Sequence, residues 1–281
     1  MKHRAFGLTN KQVSIIGQGT WNMEKDDRRA AIEALRRGLD AGMNHIDTAE
    51  MYGDGEVEEL VGEAIADRRG EVFLVSKVLP QNASRRGTVQ ACERSLRRLR
   101  TDYFDCYLLH WPGRHPLRDT IAALEELREM GKIRAWGLSN FDEEELADAI
   151  RIAGEGKIAC NQVLYHLKER AIEHAVIPFC DEHGIAVVAY SPFGSGDFPS
   201  PRSAGGRILA EIAKAHNATP YQIALAFLVR DPNLFAIPKA AHPEHALDNA
   251  AAAEIELSED EIRRIDEAFP RGRRRGGVPT I

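Results

Sequence analysis

The chain has 281 residues, 43% of them hydrophobic, with a net charge of −6 and a pI near 6.0. That is enough apolar material for a sizeable core, and the acidic balance argues against a chain-wide nucleic-acid surface. No apolar run approaches the ~20 residues of a membrane span and the N-terminus lacks the apolar stretch of a secretion signal, so a cytoplasmic protein without a membrane partner is expected.

Taken in order, the chain opens with an expected hairpin over 5–16, where Phe6, Leu8, Val13 and Ile15 alternate around Thr9-Asn10-Lys11. Gly17-Gln18-Gly19-Thr20-Trp21 breaks it, and Asp26-Asp27 starts an amphipathic helix that ends at Asp40-Ala41-Gly42. A strand-like segment then leads into Asp47-Thr48-Ala49-Glu50-Met51-Tyr52-Gly53. The alternation repeats. Helices are expected over 57–66, 84–99, 117–130, 143–152 and 172–183, and strands over 72–77, 104–110, 133–138, 158–162 and 185–190. A loop rich in Gly, Ser and Pro follows over 191–206. Two helices (208–216 and 220–230), a last strand (234–237) and two more helices (244–252 and 258–269) complete the pattern. Residues 271–281 form a Gly- and Arg-rich tail, expected to be flexible. The cysteines Cys92, Cys106, Cys160 and Cys180 are widely spaced without a C-x-x-C pair and read as reduced, mostly buried thiols.

This counts to eight strand-then-helix units. Strands such as 72–75 and 185–189 are apolar on both faces, as buried parallel strands are. Eight units in about 250 residues predict an α/β protein, a single-domain (β/α)8 TIM barrel over 1–281, with the hairpin at its N-terminus and extra helices near its C-terminus. An open doubly wound sheet is the alternative. It would be favoured by a G-x-G-x-x-G turn after the first strand, and Gly17-Gln18-Gly19 lacks the third glycine.

In such a barrel, catalytic side chains come from the C-terminal ends of the strands. Asp47, Lys77 and His110 stand at three successive ends, and Tyr52 lies one short loop beyond the first. A free phenol has a pKa of about 10; a neighbouring ammonium lowers it, and Asp47 can hold Lys77 charged. His110 can hydrogen-bond a substrate oxygen. A proton donor facing a polarised oxygen suits carbonyl reduction, but none of the four delivers hydride, so the reading calls for a cofactor. Each residue alone has an ordinary explanation: a cap, a rim aromatic, a solvated lysine, a structural histidine. A Schiff-base chemistry at Lys77 stays open. No metal is expected, because His110 and His115 have no partner at ligand spacing.

The segment Asp47 to Gly53 resembles the D-x-A-x-x-Y-G motif of the aldo-keto reductases. Lys77, Leu108-Leu109-His110-Trp111-Pro112, Gly137-Leu138-Ser139-Asn140-Phe141, Asn161-Gln162, Tyr190-Ser191-Pro192 and Ile237-Pro238-Lys239 resemble that family too, in order, over nearly the whole chain. The resemblance implies a barrel closed at the bottom by the hairpin, and NADPH-dependent reduction of an aldehyde or ketone. It implies that Tyr52 is the general acid, tuned by Lys77 and Asp47, and that His110 orients the carbonyl. It places the nicotinamide carboxamide on Ser139, Asn140 and Gln162, and the ring on Tyr190. The pyrophosphate lies along Ser191, Pro192, Phe193 and Gly194. The adenosine end falls on Lys239, Ala240, His245 and Asn249, with Gly19, Thr20 and Asp47 as further cofactor contacts. Trp21 and Trp111, beside Tyr52 and His110, match substrate-pocket walls.

The chain departs from the family at Ala240, where serine is usual, and at His245, where arginine is usual. Arginine grips phosphate as a fixed, always-charged fork and histidine does not. NADPH is still expected to be preferred through Lys239, with NADH accepted at lower preference. Short loops after Trp111 and over 191–206 suggest small aldehydes, dicarbonyls or simple ketones. The tail arginines, Arg271, Arg273, Arg274 and Arg275, could attract anionic substrates. A monomer is expected. A cofactor-binding redox sensor with little turnover is the alternative from another class.

Overall fold

The computed structural model of the chain describes residues 1–274 and 276–281; Arg275, the last arginine of the tail run, lies outside the described residues. The chain begins with two antiparallel strands, β1 (His3–Ala5) and β2 (Gln12–Ser14), paired His3 to Ser14. The hairpin is therefore shifted outward from the expected alternation. Residues Gly7–Thr9 form a 3-10 turn and leave Leu8 exposed, because Asn10 takes a left-handed φ of 57° and closes the loop early. Phe6 remains fully buried and packs its ring against His45, Phe73 and Phe235 at the N-terminal end of the strands. The hairpin thus plugs the bottom of the barrel. A side chain at Gly7 would strike the Ala159 carbonyl at 2.3 Å, so only glycine allows this approach.

Eight parallel strands follow, each hydrogen-bonded to the next in chain order. They are β3 (Gln18–Gly19), β4 (His45–Asp47), β5 (Phe73–Val78), β6 (Phe104–Leu109), β7 (Ile133–Ser139), β8 (Ile158–Leu164), β9 (Ala186–Tyr190) and β10 (Leu234–Ala236). The sheet curls until its ends meet. Ile16 bridges Ala236 and Gly19 bridges Lys239, with the Gly17 amide donating to the Ala236 carbonyl at 2.8 Å. Every residue of β5 and β8 is buried, as the two-sided apolar pattern requires.

Helices α1 (Arg28–Asp40), α2 (Glu56–Ala64), α3 (Arg85–Leu99), α4 (Leu117–Glu129) and α5 (Glu143–Ala153) alternate with the strands. They are joined by α6 (Val176–Glu182), α7 (Ala204–Ala215), α8 (Pro220–Leu228), α9 (Pro243–Ala251) and α10 (Glu259–Ala268). Side-chain caps start many of them: Asp27 on α1, Ser84 on α3 and reciprocal capping boxes at Asp142–Glu145, Thr219–Gln222 and Ser258–Glu261. The expected single helix over 172–183 is broken into a 3-10 turn (Ala171–His174) and α6. Pro178 is the physical reason: it has no N–H to give and its ring crowds the carbonyl four residues back, so a continuous α-helix through His174 is disfavoured. All four cysteines are buried and unpaired. No helix among the described residues is long and apolar enough to cross a membrane.

Candidate active site

The C-terminal ends of the strands open into a cavity of about 710 Å³. Its floor is set by the pleat. Asp47 is the last residue of β4 and Lys77 the fifth of β5, and both point inward from neighbouring strands. Lys77 is fully buried and Asp47 is 1% exposed. The Lys77 ammonium donates to Asp47 Oδ1 at 2.5 Å, to the Thr48 carbonyl at 2.9 Å and to Tyr52 Oη at 3.1 Å. An ammonium has three protons and no acceptor, so all three are used and the phenol oxygen must accept. The phenol's own proton is therefore left free of Lys77. Asp47 Oδ2 accepts from Gln162 Nε2 at 2.7 Å, which ties β8 to the same group.

Tyr52 reaches this place because the chain turns sharply behind it. Gly53, Asp54 and Gly55 have φ of 54°, 51° and 99° in succession. The Tyr52 amide donates to the Ala49 carbonyl at 3.0 Å, and Thr20 Oγ1 donates to the Asp47 carbonyl at 2.8 Å. A second layer braces the loops. Glu50 accepts from the Leu79 amide and Asn82, and Glu58 is held between Ser76 and Arg98. His110 follows β6 directly, 7% exposed, its ring 6.0 Å from that of Tyr52 and at 74° to it.

The electrostatics follow from burial first. Burial pushes the Lys77 ammonium down, but the Asp47 charge and hydrogen bond, with help from Tyr52, outweigh it and hold Lys77 protonated. Burial drives the Asp47 carboxyl up, against the pull of Lys77 and Gln162. The Tyr52 phenol is raised, not lowered as the sequence suggests: burial of a would-be phenolate outweighs the nearby ammonium. Burial, reinforced by Lys77, brings His110 down to about 2, so its imidazole is neutral.

Of the residues singled out from sequence, Gly19, Thr20, Trp21, Asp47, Tyr52, His110, Trp111, Ser139, Asn140, Gln162, Tyr190, Ser191 and Lys239 line this one cavity. Trp21 is 37% exposed, a wall rather than a core aromatic. Tyr190 is half-buried and donates from Oη to Asn140 Oδ1 at 2.9 Å, while Asn140 Nδ2 donates to the His110 carbonyl at 3.1 Å. Asn140 and Ser191 take left-handed φ of 62° and 47°, turning the chain abruptly where β7 and β9 end. Pro192, Phe193 and Gly194 continue the loop after β9, and Phe193 packs edge-on against Phe198 and Tyr221. Ala240, His245 and Asn249 stand apart from the lining, on the loop after β10 and on α9; His245 is exposed with its ring 5.6 Å from that of His242, and Asn249 is buried.

Lining residues not singled out are Met51, Pro112, Asp142, Glu145, Ile237 and the terminal Gly277, Val278, Thr280 and Ile281. Asp142 and Glu145 are legible as a D-x-x-E capping box, which aims the start of α5 at the cavity. The tail carries no local pattern that places it. Its Arg271 pairs with Glu173 at 2.9 Å and Arg274 with Glu143 at 2.5 Å, so these two cations are already engaged with the protein. No cluster of three or more His, Cys, Asp or Glu fit to hold a metal occurs among the described residues.

A barrel with ionisable side chains gathered at the C-terminal ends of successive strands defines an enzyme-like site. The Aldo/keto reductase family pattern matches residues 15–269, and the chain belongs to that family of oxidoreductases. It is 45% identical over 257 residues to methylglyoxal reductase YeaE of Escherichia coli (strain K12), covering 91% of this chain and 90% of that one. Glyoxal reductase of Bacillus subtilis (strain 168) is 34% identical over 254 residues, covering 89% and 87%. The crystal structure of an aldo-keto reductase from Klebsiella pneumoniae in complex with NADPH superposes with a TM-score of 0.93 at 44% identity, covering 100% of this chain and 99% of the other.

Proposed function

We propose that the protein reduces small aldehydes, dicarbonyls or ketones to alcohols with NADPH, acting as a cytoplasmic monomer. The observation that carries the reading is the chain Asp47–Lys77–Tyr52, with Asp47 and Tyr52 lining the cavity beside a neutral His110 and Lys77 fully buried behind them. The names of its relatives, a methylglyoxal reductase and a glyoxal reductase, point to small dicarbonyls.

The residues present suit a nicotinamide cofactor. Ser139, Asn140 and Gln162 put hydroxyl and amide groups on one wall, Tyr190 offers a half-exposed ring, and Lys239 puts a cation near the start of α9. Ser139, Asn140 and Gln162 would hold the carboxamide, Tyr190 the ring, and Lys239 the 2′-phosphate. The reduced cofactor supplies hydride to the carbonyl carbon. The rest falls to the protein. Tyr52 gives the proton from Oη to the carbonyl oxygen. Its raised pKa keeps that proton in place until the oxygen gains charge, and the Lys77 ammonium at 3.1 Å then stabilises the phenolate left behind. His110, uncharged, can present an N–H to the same oxygen and so orient it. Trp21 and Trp111 wall off the substrate side.

The test is a panel of methylglyoxal, glyoxal, simple aldehydes and ketones, followed by loss of reduced-cofactor absorbance with NADPH and with NADH. Turnover with NADPH preferred is expected. Cofactor binding without turnover on any carbonyl would favour a redox sensor, and a preference for NADH would remove Lys239 as the discriminating cation.

A further inference from the structure

Lys239 is not free. Its ammonium is paired with the carboxylate of Asp26, which arrives from the opposite side of the barrel seam. The approach is built into the backbone. Gly19 bridges Lys239, and its amide donates to the Pro238 carbonyl at 3.1 Å. From there the chain arches through a 3-10 turn (Met23–Lys25) anchored by Met23, which is 1% exposed, and is locked into α1 by the Asp27 cap. Asp26 stands between these two fixed points. Its side chain is 28% exposed and that of Lys239 is 34% exposed, so the pair is partly shielded from water. Lys25, the nearest cation in sequence, donates to Asn22 Oδ1 at 2.7 Å and is directed elsewhere.

We propose that Asp26 is a specificity-determining residue that acts through Lys239: it is a built-in competitor for the cofactor's 2′-phosphate. The inference rests on the reading of Lys239 as the phosphate-binding cation. A phosphate arriving at Lys239 must displace a carboxylate already there. A 2′-hydroxyl has no such obstacle. Asp26 therefore weakens NADPH and leaves NADH nearly untouched, which narrows the gap between them. His245, on α9, carries no always-charged guanidinium fork to oppose this.

The experiment measures equilibrium dissociation constants for NADPH and NADH by fluorescence titration without substrate, in the unaltered protein, Asp26→Asn, Lys239→Gln and the double variant. Asp26 does not cap α1, so Asp26→Asn is expected to fold; Asp26→Ala serves as the second variant. Asp26→Asn should tighten NADPH by roughly fivefold, the scale of a partly exposed ion pair, with NADH changed less than twofold. In the Lys239→Gln background the same change should have less than twofold effect. An unchanged or weakened NADPH constant in both Asp26 variants overturns the proposal, as does equal tightening of both cofactors. Lys239→Gln leaving NADPH binding unchanged would instead overturn the underlying assignment of the phosphate site, which is a separate and distinguishable failure.

Discussion

Replacing Tyr52 by Phe isolates the proton from everything else the residue does. In the structure, Tyr52 Oη only accepts from Lys77, and the ammonium keeps two further acceptors, Asp47 Oδ1 at 2.5 Å and the Thr48 carbonyl at 2.9 Å. The variant thus leaves one buried donor unpaired, which costs on the order of 1–2 kcal/mol of stability. The ring, its T-shaped contact with His110 and the turn behind it all remain. Loss of a positioned general acid slows the chemical step by about 10²–10⁴-fold, or roughly 3–5 kcal/mol of barrier. The kinetic effect is therefore clearly larger than the structural one. The assay pairs kcat at saturating carbonyl with the NADPH dissociation constant and a thermal melt. The expected outcome is a collapse of kcat with cofactor affinity changed less than about threefold. Retention of more than about a tenth of kcat would refute the assignment of Tyr52 as the acid.

Three further outcomes follow from the same geometry. Lys77→Met strands Asp47, which is 1% exposed, with only Gln162 as partner; stability should fall by about 3–5 kcal/mol in denaturant titration, and Asp47→Leu combined with Lys77→Met should recover part of it. His45 is fully buried, and burial, then Lys77, brings its pKa to about 3. Its folded pKa lies below the unfolded value near 6.5, so its contribution is present above about pH 6.5 and is lost as pH falls towards 3. Comparing unfolding free energies at pH 7.5 and 5, His45→Leu should lose less stability than the unaltered cofactor-free protein, by on the order of 2 kcal/mol. Gly55→Ala places a Cβ at φ 99° and within 2.4 Å of Arg98 Nε, disturbing the ion pair of Arg98 with Glu58; a melt should show a loss of about 1–3 kcal/mol.

The barrel was legible because its strands are buried on both faces and spaced by amphipathic helices. The convergence of Asp47, Lys77 and His110 followed from three equivalent strand ends. What sequence pattern could not supply was competition between opposing effects. The ammonium beside Tyr52 is visible in the chain, yet burial, which reverses its influence on the phenol, is a tertiary property. The broken helix at Pro178 was readable in principle, but apolar periodicity across 172–183 masked it. The cavity lining by Val278, Thr280 and Ile281 had no local signature, since a Gly-rich tail acquires its place only from the surface it meets.

The seam of the barrel has a consequence for assembly. Strands β4 to β6, which carry Asp47 and Lys77 and lead into His110, are consecutive in the chain, so their contacts close short loops. The seam joins Ile16 to Ala236 and Gly19 to Lys239, from opposite ends of the sequence, and must wait for a much larger loop to close. The Asp47–Lys77 pair and Lys239 thus belong to regions of different folding history. Amides on either side of the seam, Gly17 and Ala236 among them, are expected to exchange with solvent through openings that leave the Asp47–Lys77 pair intact.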